Sequence, residues 1–504
     1  MIRLTTTTTL LTCMAAPVMA DVTAPDVWNG FSTLYQSMGL KVEATQTQDG
    51  DTTSIADLKL SGDFPFDLGW FSIYTNGPNL VENGDGTVAI KFPAHMPIAI
   101  AVSLPDDLFI TANLDYKFTG YTAVASGKPD DFTIEYSADK MALALIDFDG
   151  PDMPVGDIEG SYMVIGLTGS SRFVSANFFS FSQKSFITKA EIDGGFTESE
   201  THGTYRFSEV WNELAEETSF SYPTSGIDLM NLPKQLRNGL SMQYKSSIGS
   251  TIGKSRTTRN DELVGSQFTS VDNSVTTLSL SQSGARLDTT ADNYILDYLI
   301  EELPFPLKVK ISSANGALKL PLLKAPEDQD FTYLLSVDGV TLGDGIWGQF
   351  DPEGKLSHAP ADMTVDFTGK GKLSVDLLDI DAMTKVINEG NRFGALSALT
   401  INNLDVSALG ASLISNGAFT FDNNNLESFD GVPAPSGSAT MHFAGVNAAI
   451  DTLIDIGLLE SEQALGVRMG LGMFTVIGER KDTLVSQIEI TPDGQVTANG
   501  KRLK

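Results

Sequence analysis

The chain has 504 residues, with 64 acidic side chains against 33 basic ones and a formal net charge of −31. Its isoelectric point near 4.3 implies a surface that repels phosphate polyanions, which argues against a nucleic-acid partner unless a strong basic patch overcomes the field. With 41% hydrophobic and 9% aromatic residues, the chain can bury a sizeable core and is neither a disordered acidic tail nor a low-complexity repeat; its length suggests about two to four domains.

Residues 1–20 read MIRLTTTTTLLTCMAAPVMA. One positive charge at Arg3, an apolar threonine-rich stretch, and Val18 and Ala20 at the small-residue positions of a cleavage site predict a secretory signal peptide. A lipoprotein signal with Cys13 as the lipidated residue is the competing reading. Thr12 precedes it where a smaller residue is wanted, and the apolar run continues to Ala20. Cleavage after Ala20 removes the single cysteine, so no disulfide is expected in the mature chain. The expected location is the periplasm.

The first element past the signal is a helix, expected over 25–38 from its 3.6-residue spacing. Asn83-Gly84-Asp85-Gly86 then predicts a tight turn, and the alternation of Ile98, Ile100, Val102 and Leu104 predicts a strand. Phe132, Ile134 and Tyr136 form another alternating set, followed by Met141, Leu143 and Leu145. Asp193-Gly194 reads as a turn, and helices are expected over 228–239 and 292–302. Leu307, Val309 and Ile311 alternate, as do Leu318, Leu320 and Leu322, with Asn315-Gly316 as the turn between them. Further helices are expected over 380–390 and over 447–474, the latter a pair broken near Gly457 with Ser461 capping its second member. Asp493-Gly494 supplies a last turn. The predicted fold class is mainly β with peripheral helices (α+β), its long antiparallel meander sheets curled into a groove or a sandwich.

Asp131-Phe-Thr-Ile-Glu-Tyr-Ser-Ala138 resembles Asp362-Met-Thr-Val-Asp-Phe-Thr-Gly369. Each is followed by an alternating strand and then by Leu145-Ile-Asp-Phe-Asp149 or Leu377-Leu-Asp-Ile-Asp381. Two readings stand: chance similarity between amphipathic hairpins, or two related halves with 131–149 and 362–381 as equivalent hairpins. The expected organisation is a signal peptide over 1–20, an N-terminal β-rich half over 21–245, a basic Ser/Thr/Gly linker over 246–262 and a C-terminal β-rich half over 263–504. From Lys234 to Asn260 the chain carries Lys234, Arg237, Lys245, Lys254, Arg256 and Arg259 and no acid. This is either a solvated stretch that offsets nearby carboxylates or a contact, centred on Lys254, Arg256 and Arg259, for anionic lipid headgroups or an acidic partner.

No catalytic motif stands out. There is no G-x-S-x-G elbow and no phosphate-binding glycine loop, and His95, His202, His358 and His442 are too far apart in sequence for a zinc motif. His95 is expected in a loop, and His442 on the solvent side of a strand. Asp147, Asp149, Asp152 and Asp157 read either as an acidic turn or as oxygen ligands for calcium, without the spacing of an EF-hand. No catalytic residue, metal ligand or cofactor is assigned, and the expected protein is not an enzyme.

The C-terminal half carries Leu303-Pro-Phe-Pro306, Pro321-Leu-Leu323, Trp347 with Phe350-Asp-Pro352, Pro360-Ala-Asp362 with Gly369, Gly431-Val-Pro-Ala-Pro435, Asp482-Thr-Leu-Val-Ser486 and Ala498-Asn-Gly-Lys-Arg-Leu503. In this it resembles an uncharacterised family of alphaproteobacterial periplasmic proteins catalogued as domain of unknown function 2125. The resemblance implies an envelope context and no activity. The leading expectation is a non-enzymatic envelope protein that binds a lipid or another apolar ligand in a β-sheet groove, with transient membrane contact at most. The alternatives are an envelope scaffold that binds other proteins without a small-molecule ligand and, less well matched because of its helices and non-aromatic terminus, an outer-membrane barrel.

Overall fold

The computed structural model describes residues 21–64, 68–106, 108–150, 155–198, 203–223 and 231–503. The expected signal peptide therefore lies outside the described residues. Strands hold 63% of the described residues and helices 13%. In chain order the elements begin with α1 (Ala24–Ser37), β1 (Lys41–Asp49), β2 (Thr52–Asp63), β3 (Trp70–Thr75), β4 (Asn79–Glu82), β5 (Val88–Lys91), β6 (His95–Leu104), β7 (Leu108–Thr119) and β8 (Thr122–Lys128). The longest strands follow: β9 (Asp131–Asp149), β10 (Val155–Ser175), β11 (Phe178–Glu198), β12 (Thr204–Pro223), then α2 (Leu232–Arg237), β13 (Ser241–Arg259) and β14 (Glu262–Ser281). Next come β15 (Gly284–Ile300), β16 (Leu307–Leu320), β17 (Gln329–Leu342), α3 (Asp344–Phe350), β18 (Ala361–Leu373), α4 (Ile380–Asn388), β19 (Gly394–Ala408) and β20 (Ala411–Asp422). The chain closes with β21 (Ala434–Ala444), α5 (Val446–Asp455), α6 (Ser461–Phe474), β22 (Val476–Ile477), β23 (Thr483–Ile490), β24 (Val496–Ala498) and β25 (Lys501–Arg502).

Every pairing is antiparallel, and nearly every strand lies beside its neighbour in sequence, so the molecule is one up-and-down meander. β3 and β4 lie end to end along β2, and β7 and β8 lie end to end along β9. Each such pair is one long rung interrupted near the same level, at residues 76–78 and 120–121. From β9 to β14 the rungs run unbroken for 19 to 21 residues, or about 65 Å at the usual rise per residue.

At the level of those interruptions a crease crosses the long strands. Asp139, Gly166, Thr188, Glu213, Gly249 and Asn273 oppose one another between paired positions, and the line continues through Asn293, Ser312 and Gly339. Gly166, Glu213, Asn273, Asn293 and Gly339 have φ of 66°, 55°, 46°, 51° and 69°, a left-handed conformation that kinks a strand in place. The phase of side-chain alternation inverts there. On β10 Leu167 and Val164, three residues apart, join one hydrophobic cluster with Ile187 and Ala190 of β11 and Leu214 and Trp211 of β12. In a regular strand such pairs would point to opposite faces.

This inversion corrects several expectations. The switch from Phe132, Ile134 and Tyr136 to Met141, Leu143 and Leu145 is a phase change within the single strand β9, not a hairpin turn. Asn315-Gly316 likewise lies inside β16, and Asp193-Gly194 inside β11, where a Cβ on Gly194 would fall 2.8 Å from the Phe207 ring. Asn83–Gly86 and Asp493-Gly494 do form turns. Residues 292–300 are strand rather than helix, because pairing with β14 and β16 overrides a helical reading of a tyrosine- and isoleucine-rich run. Helices form near 25–38, 380–390 and 447–474. The 228–239 helix shortens to α2, with 224–230 outside the described residues, and Glu460 rather than Ser461 caps α6, in a reciprocal box with Gln463.

The expected linker over 246–262 is also corrected. It comprises most of β13 and the hairpin into β14, hydrogen-bonded on both sides. Its serines and threonines occupy strand positions, Gly249 sits in the crease, and a single sheet runs through the expected boundary between halves. The two repeat segments differ in place: 131–149 is all β9, whereas 362–381 leaves β18 at Leu373 and enters α4.

The fully buried core sits at one end of the long strands. Thr23 and Asp26 form a capping box that starts α1, and this helix lies so close to the sheet that a Cβ on Gly30 would be 2.6 Å from the Phe132 ring. Beneath it Phe173 stacks on Phe132 at 5.0 Å between centroids and meets Phe31, Phe179 and Phe181 edge-on. Leu236 and Leu240, on and just after α2, and Leu323 extend the cluster. The substitution Phe173→Ala is expected to lower unfolding free energy by about 3–5 kcal/mol, read from urea denaturation; a loss below 1 kcal/mol would show that this end is not the stability-determining core.

Candidate functional site: an apolar groove

Because paired residues share a face, the registers assign each side chain to one side of the sheet. One row of the first face runs Gly316, Leu335, Val365, Leu404, Ser415 and Met441 across β16 to β21. The next runs Ala314, Val337, Met363, Val406, Leu413 and Phe443. The row between them points the other way and reads Asn315, Ser336, Thr364, Asp405, Ile414 and His442. One face is thus apolar and the other polar over many strands.

At the α1 end the apolar face is covered. Along β15 to β19 it is not: Leu335, Val365, Leu404, Met363 and Val406 are only half-buried, and Leu287, Leu320 and Tyr333 are 39%, 37% and 40% exposed, whereas on β20 and β21 Ser415 and Ala439 are buried. At the crease, by contrast, Val164, Ile187 and Ala190 are buried against Met141, Leu167, Trp211 and Leu214 from both sides of the fold line. Apolar residues on the two flanks meet there, so the apolar face is packed at the crease and open along β15 to β19, the stretch termed the trough.

At the α1 end of the sheet, on strands β2 to β10, there is a cavity of about 390 Å³, lined mainly by apolar and aromatic residues including Trp28, Phe31, Tyr35, Phe92, Tyr116, Phe118, Tyr121 and Met141. This is within the size range of small-molecule sites, and a largely apolar lining with a few polar atoms is their usual chemistry. The rings support one another: Phe92 stacks on Phe118 at 5.3 Å, and Tyr121 meets both edge-on at 5.5 Å. Loss of solvent pushes the Tyr116 and Tyr121 hydroxyls up to about 12, with smaller contributions from Tyr162 on the first and from Tyr136 and Tyr116 on the second.

The expected basic contact is placed differently from the trough. Lys254 and Arg256 project from the polar face of β13, where they line a hollow of about 720 Å³ with Arg206, Glu159, Asp193 and Asp297. Arg206 is held 2.9 Å from Glu159, and Arg259, at the strand end, is 2.9 Å from Glu301. Arg237 makes a two-pronged pair with Asp376. A run that looks purely cationic in sequence is spread along an extended strand, and neighbouring strands interleave it with acids.

His95 opens β6 rather than lying in a loop, exposed and 3.5 Å from Asp115. His442 lies exposed on the polar face. His358 stacks on Trp347 at 3.9 Å and its Nε2 lies 3.0 Å from the buried Asp351 carboxylate, which also accepts from the Lys355 and Leu356 amides. This arrangement fastens the loop after α3. His202 and Asp152 lie outside the described residues, and among the described residues no group of three His, Cys, Asp or Glu side chains could hold a metal ion. No protein-family model and no curated protein matches the chain.

Sequence reasoning missed the crease and the cavity. The signal for the crease was present, as the change of parity in the apolar positions of each long strand. The raised tyrosines carry a pH dependence: their folded pKa lies above the unfolded value near 10, so the folded state retains protons the unfolded state has lost. Their stabilising effect is present below pH 10 and is lost as pH rises from 10 to 12. Ultraviolet titration should show a tyrosine class ionising near 12 with falling stability in that window; ionisation of all 12 tyrosines near 10 in the folded protein would contradict the cavity environment.

Proposed function

We propose that this is a non-enzymatic envelope protein, exported through a cleaved signal peptide, that holds a lipid acyl chain or a similar elongated apolar ligand along the trough. The observation that carries the reading is the apolar face of β15 to β19, whose large side chains are only half-buried or exposed. A large exposed apolar patch on a folded protein marks a binding surface. The signal-peptide pattern of residues 1–20 supports the envelope setting.

Apolar contact supplies the affinity in this reading. An acyl chain that loses about 300 Å² of apolar surface would gain roughly 7 kcal/mol before ordering costs. With a net charge of −31 and its basic strand residues interleaved with acids, the protein gains little from general attraction to anionic headgroups, so binding should depend weakly on salt.

Native mass spectrometry of protein incubated with detergent-dispersed phosphatidylethanolamine tests this. The wild type should retain the lipid. The pair Leu335→Asp and Val365→Asp, on the apolar face, should reduce retention at least tenfold, while Ser336→Asp and Thr364→Asp, one position along on the polar face, should leave it within twofold, as should 1 M salt. Absence of lipid on the wild type, or equal losses from both faces, would overturn the reading.

A further inference from the structure

We infer that α6 and β22 form a membrane-docking tip that inserts its apolar side chains into the surface of a bilayer containing anionic lipid. The inference concerns the exposed side chains of α6 and β22 rather than the face of β15 to β19, and stands even if that face holds no ligand.

On α6 Leu465, Met469 and Met473 are 59%, 63% and 63% exposed, and Ile477 at the end of β22 is 87% exposed. Phe474 and Val476 between them are also exposed. These residues do not cover the sheet. Only Ala464 of α6 is buried, and added Cβ atoms on Gly466, Gly470 and Gly472 would meet nothing within 4 Å. The helix stands clear of the body along most of its length, which is costly in water unless something else covers it.

The tip is nonetheless held firmly. The Ser486 hydroxyl, on β23, donates to the Phe474 carbonyl at 2.7 Å, and the Asn499 side chain donates to the same oxygen at 2.9 Å. Val476 and Ile477 pair with Val485 and Leu484. Arg468 reaches Asp451 and ties α6 to α5. A fixed, uncovered apolar element is suited to insertion, whereas a frayed one would be a loose end.

Two observations select a bilayer as the occupant. First, basic residues sit beside the apolar ones: Arg480 and Lys481 follow Ile477 within four positions in a chain of net charge −31, and of the two acids flanking them, Glu479 and Asp482, the second is taken up by the Asn447 and Ala448 amides at the start of α5. Basic residues beside an apolar insertion suit anionic lipid phosphates. Second, the area is small. A helix of 14 residues is about 21 Å long and about 10 Å wide, so its outer face offers on the order of 200 Å², well short of the roughly 800 Å² per partner that a stable protein dimer buries. Insertion into a bilayer has no such requirement for a matching surface.

The test is flotation of the full mature chain with vesicles of phosphatidylethanolamine and phosphatidylglycerol at 3:1. The wild type should float. Combined Met469→Asp, Met473→Asp and Ile477→Asp should reduce the floated fraction at least tenfold with the thermal midpoint and lipid retention from detergent unchanged. Arg480→Gln with Lys481→Gln should reduce it two- to fivefold. An Ile477→Trp reporter should shift its emission to the blue with these vesicles and be quenched by brominated lipid. Wild type that stays at the bottom, a reporter that remains water-like with vesicles, or sedimentation showing a dimer abolished by the triple substitution would each overturn the inference, the last by making a second copy the occupant. Loss of lipid retention in wild type, with flotation intact, would overturn the trough reading alone.

Discussion

The structure depends on one constraint: a β-strand alternates its side chains with a strict period of two, and a sheet with one apolar face must keep that phase along its whole length. The strands of the central meander are too long to stay flat, and they bend at the crease. A bend through left-handed residues advances the alternation by one position. Had the sequence continued its original parity beyond Gly166, Glu213 and Asn273, the apolar residues of the far flank would point at water. The sequence instead switches parity at the same level, so Leu167 and Val164, or Leu214 and Trp211, occupy the same side.

The same bend distributes stability unevenly. Fully buried aromatic residues concentrate under α1 and α2, where Phe132, Phe173, Phe179 and Phe181 interlock. Beyond them the sheet is held chiefly by its hydrogen-bonded ladder and by half-buried apolar side chains. That is a poor way to maximise stability and a good way to keep an apolar surface available. A ligand that covers this face in the folded state alone would stabilise it by mass action, which links occupancy of the trough to the integrity of the flanks.

The β-rich class with peripheral helices was legible because period-two patterning is strong and survives without any tertiary information. Strand length was not. Phe132 to Leu145 and Leu307 to Leu320 each contain a parity change that, in one dimension, looks the same as a hairpin, and glycine beside asparagine or aspartate strengthened that impression at 315–316 and 193–194. What separates such an in-strand kink from a turn is whether the next segment pairs with its predecessor or with strands on either side, and that is settled by long-range register. The basic run from Lys234 to Arg259 was misleading for a related reason: charge composition along the chain says nothing of the acids that neighbouring strands bring alongside.

The central claim is that adjacent residues on one strand face two chemically different environments, one of them the ligand's. Photo-crosslinking reads this directly. A benzophenone amino acid placed at Leu335, on the apolar face, and separately at Leu334, one residue away on the polar face, would be irradiated in the full-length protein in its own cells. The account predicts lipid adducts at 335 and at most traces at 334. Equal labelling at both positions, or adducts to protein alone at 335, would contradict it.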